Sequence, residues 1–229
     1  MLLSGFLRVE AVNRLVFRSR LIYYVYLSRS IRVCPDQQAV ISSEYSSHML
    51  KRGVTSDRPL RLIRPLSVID KLDKASASVL SIGCRFETEL LYLRGYGFKN
   101  VRGMDLISYS PWVDIANMHE MPYPLDSWDV VLLGWVLSYS NAPEKAASEI
   151  LRVTKNGGIV GIAVSYYPKK QLDEMERQGT LIGRNTGRIQ TVDAILRLFR
   201  GHVDQIYFSH DSASPDVESY CGVIFSIHK

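Results

Sequence analysis

Val79–Asp105 reads VLSIGCRFETELLYLRGYGFKNVRGMD. An apolar run, Val79–Ile82, ends at Gly83. The spacing then predicts a helix over Glu87–Tyr96, closed by Gly97 as a C-terminal signal. A second apolar run, Val101–Met104, closes on Asp105. The pattern is a strand, a tight turn, a helix and a parallel strand with an acid at its tip. Asp105 lies 22 residues beyond Gly83, close to the ~20 residues expected when a carboxylate on the second strand holds a ribose diol. The fragment therefore points to an adenosine-containing cofactor.

The same alternation continues outward. Strands are expected at Val113–Ala116, at Asp129–Gly134 (whose apolar centre implies burial on both faces) and at Ile159–Val164 after a turn at Gly157-Gly158. A helix is expected over Pro143–Val153, and another over Val192–Phe199 after a polar segment, Tyr166–Gln190. Two last strands, Val203–Ser209 and Cys221–His228, are joined by a link too short for a parallel crossover, so they form an antiparallel hairpin. The expected class is α/β: a doubly wound, Rossmann-like, seven-stranded and mostly parallel sheet with an antiparallel C-terminal hairpin. Residues 76–229 would form this domain. Residues 1–75 would form an N-terminal helical and irregular arm, punctuated by Pro35, Pro59 and Pro65.

Read in order, these segments resemble the class I S-adenosylmethionine-dependent methyltransferases of the small-molecule type, over roughly Ala77–Tyr167. Ser81-Ile82-Gly83-Cys84 stands at the family's glycine motif and Asp105 at its ribose-binding acid. Asn117-Met118-His119-Glu120-Met121-Pro122-Tyr123 is similar to the segment ending in Leu-Pro-Phe. Ser127-Trp128-Asp129-Val130-Val131 is similar to Ser-Phe-Asp-Val-Val, and ILRVTKNGG to the Leu-x-Pro-Gly-Gly turn. Two departures stand out. Arg85 and Glu87 replace the second and third glycines of Gly-x-Gly-x-Gly, which removes easy access to positive φ. Asn117 replaces the acid that contacts adenine, although an amide oxygen can still accept from the adenine amino group.

The resemblance implies S-adenosyl-L-methionine as cofactor and methyl transfer to a small-molecule, glycan or lipid acceptor. It implies cofactor contacts at Gly83, Cys84, Arg85, Asp105, Leu106, Asn117, Met118 and Gly134, and acceptor contacts at Trp135, Ser138, Tyr139 and Tyr166. His119 is the candidate general base. Arg85 can pair either with the cofactor's carboxylate or with Glu87 as scaffold. Glu87 and Glu89, at the start of the first helix, would repel a pyrophosphate, which disfavours a nicotinamide dinucleotide. The alternative is a non-catalytic member of the fold that serves as a binding or scaffolding protein.

The bulk properties constrain less. The 229 residues carry 46% apolar side chains and a net charge of +5, which permits an acidic substrate or an anionic membrane face without demanding either. Cys34, Cys84 and Cys221 are widely spaced, with no CxxC pair, so a reducing, cytoplasmic setting is expected. The five histidines lack ligand spacing, so no metal is expected. Arg8, Arg14, Arg18 and Arg20 interrupt the N-terminal apolar run, so neither a secretory signal nor a membrane span is expected. This arm reads either as a helix packed on the domain or as a basic amphipathic helix on a membrane surface or a partner. Nucleic acid is not an expected partner.

Overall fold

The computed structural model describes residues 5–35, 57–179 and 187–229. The chain divides into two compact units, Met1–Pro122 and Tyr123–Lys229.

In the first unit, three parallel strands lie in the order β5-β3-β2: β2 Ser78–Ile82, β3 Asn100–Asp105 and β5 Val113–Ile115. Val79, Leu80 and Ile82 are fully or almost fully buried, as parallel strands covered on both faces require. Helix α3, Glu87–Gly95, follows β2 and is closed by Gly97 at φ +101°. It also carries the acids Glu87 and Glu89 in its first turn, where the helix dipole favours negative charge.

The N-terminal residues form α1, Glu10–Leu21, continued by a π-helical segment over Ile22–Leu27. Its inner face, Phe17, Leu21 and Val25, packs with Leu91 of α3 and with Ile107 and Tyr109. Phe17 meets Phe86 edge to face, with centroids 5.5 Å apart. The arm thus includes a helix docked on the first unit. Two short strands, β1 Arg32–Val33 and β4 Ile107–Ser108, pair antiparallel. The irregular stretch expected before the domain contains a further helix, α2 Leu60–Leu66, whose Leu62, Ile63 and Leu66 are buried. Pro65 falls inside it and, having no N–H, removes one hydrogen bond of this short helix. The expected irregular conformation of 36–56 lies outside the described residues.

In the second unit the order is β6-β7-β9-β8: β6 Trp128–Gly134, β7 Thr154–Tyr166, β8 Val203–His210 and β9 Ser219–Ile227. β6 and β7 run parallel, whereas β9 and β8 are antiparallel to their neighbours. The expected turn at Gly157-Gly158 is instead an irregularity inside the longer β7: Trp128 pairs with Thr154, yet Val130 pairs with Ile159. Gly157 takes φ +74° there, the conformation a bulge needs and glycine adopts without penalty. Helix α4, Pro143–Val153, buries Ala146, Ala147 and Ile150. The polar segment after β7 contains α5, Lys169–Arg177, which buries none of its residues and so carried no apolar periodicity to read. Helix α6, Val192–Arg197, is capped by Thr191, whose hydroxyl accepts from the Ala194 N–H. These seven strands, mostly parallel with an antiparallel C-terminal hairpin and flanked by helices, make the Rossmann-like α/β fold that the sequence predicts. Among the described residues, no helix is long and apolar enough to cross a membrane.

Candidate functional site

In the first unit, Gly83, Cys84, Arg85, Asp105 and Leu106 lie at or against the loop between β2 and α3. Gly83 leaves β2 at φ +74° and its N–H donates to the Met104 carbonyl at 2.7 Å. Cys84 turns inward against β3. A Cβ on Gly103 would lie 2.5 Å from its Sγ, so that glycine is what lets the loop seat. Burial pushes the Cys84 thiol well above the usual thiol range.

Arg85 takes φ +36°, a region that β-carbon sterics disfavour and that often marks functional loops. Two contacts hold it there. Its N–H donates to Asp105 Oδ2 at 2.7 Å, and its carbonyl accepts from the Ser108 hydroxyl at 3.2 Å. Asp105 Oδ1 accepts from the Ile107 N–H at 3.2 Å. Asp105 therefore ties the loop after β2 to the end of β3. Burial raises its carboxyl above the ordinary value, while the Arg85 charge pulls it back. Arg85 Nε is buried without a hydrogen-bond partner. Leu106, half-buried, accepts from the Cys34 N–H at 2.7 Å.

Glu87 has another partner. Its side chain is fully buried and ion-paired with Arg20 of α1, with Arg20 Nη2 2.8 Å from Oε1. The Ser110 hydroxyl also donates to it. The Arg20 guanidinium lies 3.7 Å from the centroid of Trp112, and that of Arg94 lies 4.0 Å from the same ring. The scaffold pair considered for Arg85 is thus made by Arg20, a residue that sequence reasoning counted only as one basic group of an amphipathic arm. Glu89 is also buried, accepts from the Ser81 hydroxyl at 2.6 Å, and has its carboxyl pushed up to about 7 by burial.

Beyond β5, Asn117 and His119 form a tight local turn. Asn117 Oδ1 accepts from the His119 backbone N–H at 3.1 Å and lies 2.7 Å from His119 Nδ1. This contact selects the tautomer with the proton on Nδ1, so the basic lone pair of the ring is on Nε2. Met118, between them, is half-buried.

In the second unit, Gly134 ends β6 and Trp135 follows at φ +60°. The Trp135 N–H donates to the Ala163 carbonyl at 2.7 Å. Its ring lies 6.2 Å from Tyr220, and Tyr220 stacks on His210 at 4.2 Å. Neither Tyr220 nor His210 was singled out by sequence; both sit in the hairpin, where alternation announces only strand. Ser138 is buried and Tyr139 exposed, both in a short 3-10 turn over Leu137–Tyr139. The Tyr166 hydroxyl donates to the Pro215 carbonyl at 3.1 Å, and the residue lines an open cleft of about 170 Å³ with Gln190, Thr191, Asp211 and Ser212. That volume is below the ~300 Å³ at which ligand pockets begin.

Residues 80–162 match the family model described as a methyltransferase domain. Over this segment the chain is similar to methyltransferase domains. No curated protein matches it. Among solved structures, geranyl diphosphate C-methyltransferase from Streptomyces coelicolor A3(2), crystallised with Mg2+, geranyl diphosphate and S-adenosyl-L-homocysteine, aligns at 12% identity with a TM-score of 0.54, covering 86% of each chain. A putative S-adenosylmethionine-dependent methyltransferase from Listeria monocytogenes aligns at 15% identity and TM-score 0.53, over 76% of this chain and all of that one. The putative methyltransferase bound to the Trm112 activator of Haloferax volcanii aligns at 16% identity and TM-score 0.52, over 83% and 96%. At such identities the likeness to these structures is one of fold.

Proposed function

We propose that the chain uses S-adenosyl-L-methionine, seated against the β2–α3 loop, to methylate a small-molecule, glycan or lipid acceptor. The observation that carries this reading is the pair formed by Asp105 and Arg85. A carboxylate offers about four lone-pair directions, and the backbone N–H groups of Arg85 and Ile107 take two at Asp105, with the Leu106 N–H also directed at it. The remainder suit a ribose diol. The buried, unpartnered Arg85 Nε suits the carboxylate at the cofactor's amino-acid end. The donors and acceptors present thus fit this group. Glu87 is paired with Arg20 and burial favours the neutral form of Glu89, so the negative charge at the start of α3 is smaller than the sequence suggests.

When bound, the cofactor supplies a methyl already activated by positive sulfur. The chain's own part is alignment and water exclusion. Gly83, Cys84 and Leu106 shape the backbone around the ribose. Asn117, whose Oδ1 is shared by two donors of His119, and Met118 are assigned to the adenine edge. His119 Nε2 is the proposed acceptor of a hydroxyl proton. In the second unit, Gly134, Trp135, Ser138, Tyr139 and Tyr166 hold the positions at which the family pattern puts cofactor and acceptor contacts. Residues 1–75 are assigned as an arm appended to a methyltransferase domain spanning 76–229.

Calorimetry with S-adenosylhomocysteine tests the reading. Asp105→Ala should weaken binding by about 100-fold or more, because hydrogen bonds to a charged group contribute about 1.5–3 kcal/mol each. Unchanged affinity would refute the placement of the ribose. A second reading, a non-catalytic binding or scaffolding protein, is favoured by the strained Arg85 and the clasped Glu87, both at positions where the family pattern has glycine. On that reading, saturating S-adenosylmethionine leaves Tm unchanged, whereas a binder gains stability by mass action.

A further inference from the structure

The N-terminal helix has two apolar faces, and the first unit uses only one. Asn13, Phe17, Leu21 and Val25 are buried. Opposite them, Leu15, Ile22, Tyr23, Tyr26 and Leu27 are each more than half exposed, Leu15 at 68% and Leu27 at 72%. Exposed apolar residues scattered singly need no explanation, but a run along one helix face does. The register keeps them together. Leu15 and Ile22 are two helical turns apart, and in the π-helical segment, where bonds run from i to i+5, Ile22 and Leu27 share a face. Tyrosines on such a face suit a boundary between oil and water, with an apolar ring and a polar tip.

The charges on this face select its occupant. Arg18 and Arg29 are exposed beside the apolar row, and Arg14 is engaged with Glu10. Glu10 is the only acidic residue between Gly5 and Pro35. A second copy packed on the same face about a twofold axis would set arginines against arginines. An anionic bilayer instead takes the guanidinium groups at its phosphates and the apolar side chains just beneath them. At 1.5 Å per residue, Glu10–Leu27 runs about 27 Å, long enough to lie along such a surface. We propose that the outer face of this helix docks the protein on an anionic lipid membrane.

Cosedimentation of the full chain with vesicles tests this. Vesicles of phosphatidylcholine containing phosphatidylserine should pellet the protein at low salt, and pure phosphatidylcholine should do so much less. Arg18→Gln with Arg29→Gln should weaken binding to the anionic vesicles about 25-fold, since each arginine near such a surface contributes about a fivefold factor. Leu15→Ser, Ile22→Ser and Leu27→Ser together should abolish pelleting with an unchanged melting curve. Should the triple variant fail to fold, the arginine pair decides alone, because neither side chain is in the core. Absence of pelleting with anionic vesicles overturns the proposal, as does pelleting that a folded triple variant retains. A stable dimer that the triple variant dissociates, without vesicle binding by the original chain, assigns the face to a second copy and overturns it equally.

Discussion

The two units bury apolar side chains alike and differ in what else they bury. In the second, the buried polar residues are hydroxyls alone among the described residues: Ser138, Ser140, Thr154 and Ser226. Its centre is Val160, Ile162 and Val164 of β7 against Val223 and Phe225 of β9. In the first, Asn13, Glu87 and Glu89 are buried as well, in the α1 and α3 elements around the loop that holds Arg85 and Asp105. A buried carboxylate is costly unless it is paired and hydrogen-bonded. A fold that only had to be stable would fill those places with leucine. The first unit therefore gives up stability around a loop with candidate cofactor chemistry, as functional sites commonly do.

Cutting the pair that makes this arrangement tolerable should produce the largest effect. Glu87 has no exposed side-chain surface. Arg20→Met leaves its charge with the Ser110 hydroxyl and the more distant Arg94 and should cost about 3–5 kcal/mol in urea unfolding, the usual loss when one partner of a buried pair is removed. Arg20→Met with Glu87→Met removes the orphaned charge and should recover most of the loss. A single variant that costs under about 1 kcal/mol would mean the pair behaves like a surface bridge. The two units would then not differ in kind.

That contrast was only partly legible in the sequence. Strand and helix positions in both units were readable, because apolar runs such as Val79–Ile82 and the helical spacing of Pro143–Val153 are local signals. The pairing of Arg20 with Glu87 was not, because it joins residues 67 apart and each looks like ordinary surface charge in its own helix. Asp105 could be placed at the end of its strand from spacing alone. Its anchoring by the Arg85 N–H could not, because that depends on the positive φ of a non-glycine residue. Helix α5 was missed because none of its side chains is buried, and α2 because its prolines read as breaks.

Protonation should sharpen the comparison next. Burial raises the Glu89 carboxyl from 4.5 to about 7. Between those values the folded chain holds a proton that the unfolded chain has released. Stability therefore falls as pH rises through the window and levels off above about pH 7. The total should not exceed about 3.5 kcal/mol, because a difference of one pH unit between folded and unfolded carboxyl corresponds to about 1.4 kcal/mol. Glu89→Gln keeps an acceptor for Ser81 but cannot ionise, so its unfolding free energy should lack this fall. Asp105 is shifted in the same direction and its charge helps to raise Glu89, so the difference between the variant and the original reports Glu89 together with its coupling to Asp105. If the two pH profiles are parallel from about pH 4.5 to about pH 7, Glu89 is ionised in the folded state across the window.

The smallest effects separate the units most cleanly, because the same substitution can be made in each. Gly103→Ala on β3 would put a methyl 2.5 Å from Cys84 Sγ, 2.9 Å from Val113 Cγ2 and 3.2 Å from Leu90 Cδ1. Gly161→Ala on β7 would meet Leu132 Cδ2 at 2.7 Å and Ile224 Cγ1 at 3.5 Å. Overpacking of this kind costs about 1–3 kcal/mol. Gly161→Ala should fall at the low end, since its nearest obstacle is the tip of a leucine that can change rotamer. Gly103→Ala should fall at the high end, because Cys84 has a single side-chain torsion and sits in a loop fixed on both sides. That substitution alone should also weaken S-adenosylhomocysteine binding in calorimetry, since displacing Cys84 moves the adjoining Arg85. Adding Cys84→Ala removes the nearest obstacle and should restore part of both stability and affinity. If it restores stability but not affinity, the sulfur itself contributes to the site; if it restores neither, the strain falls on Val113 and the loop is not what Gly103 protects.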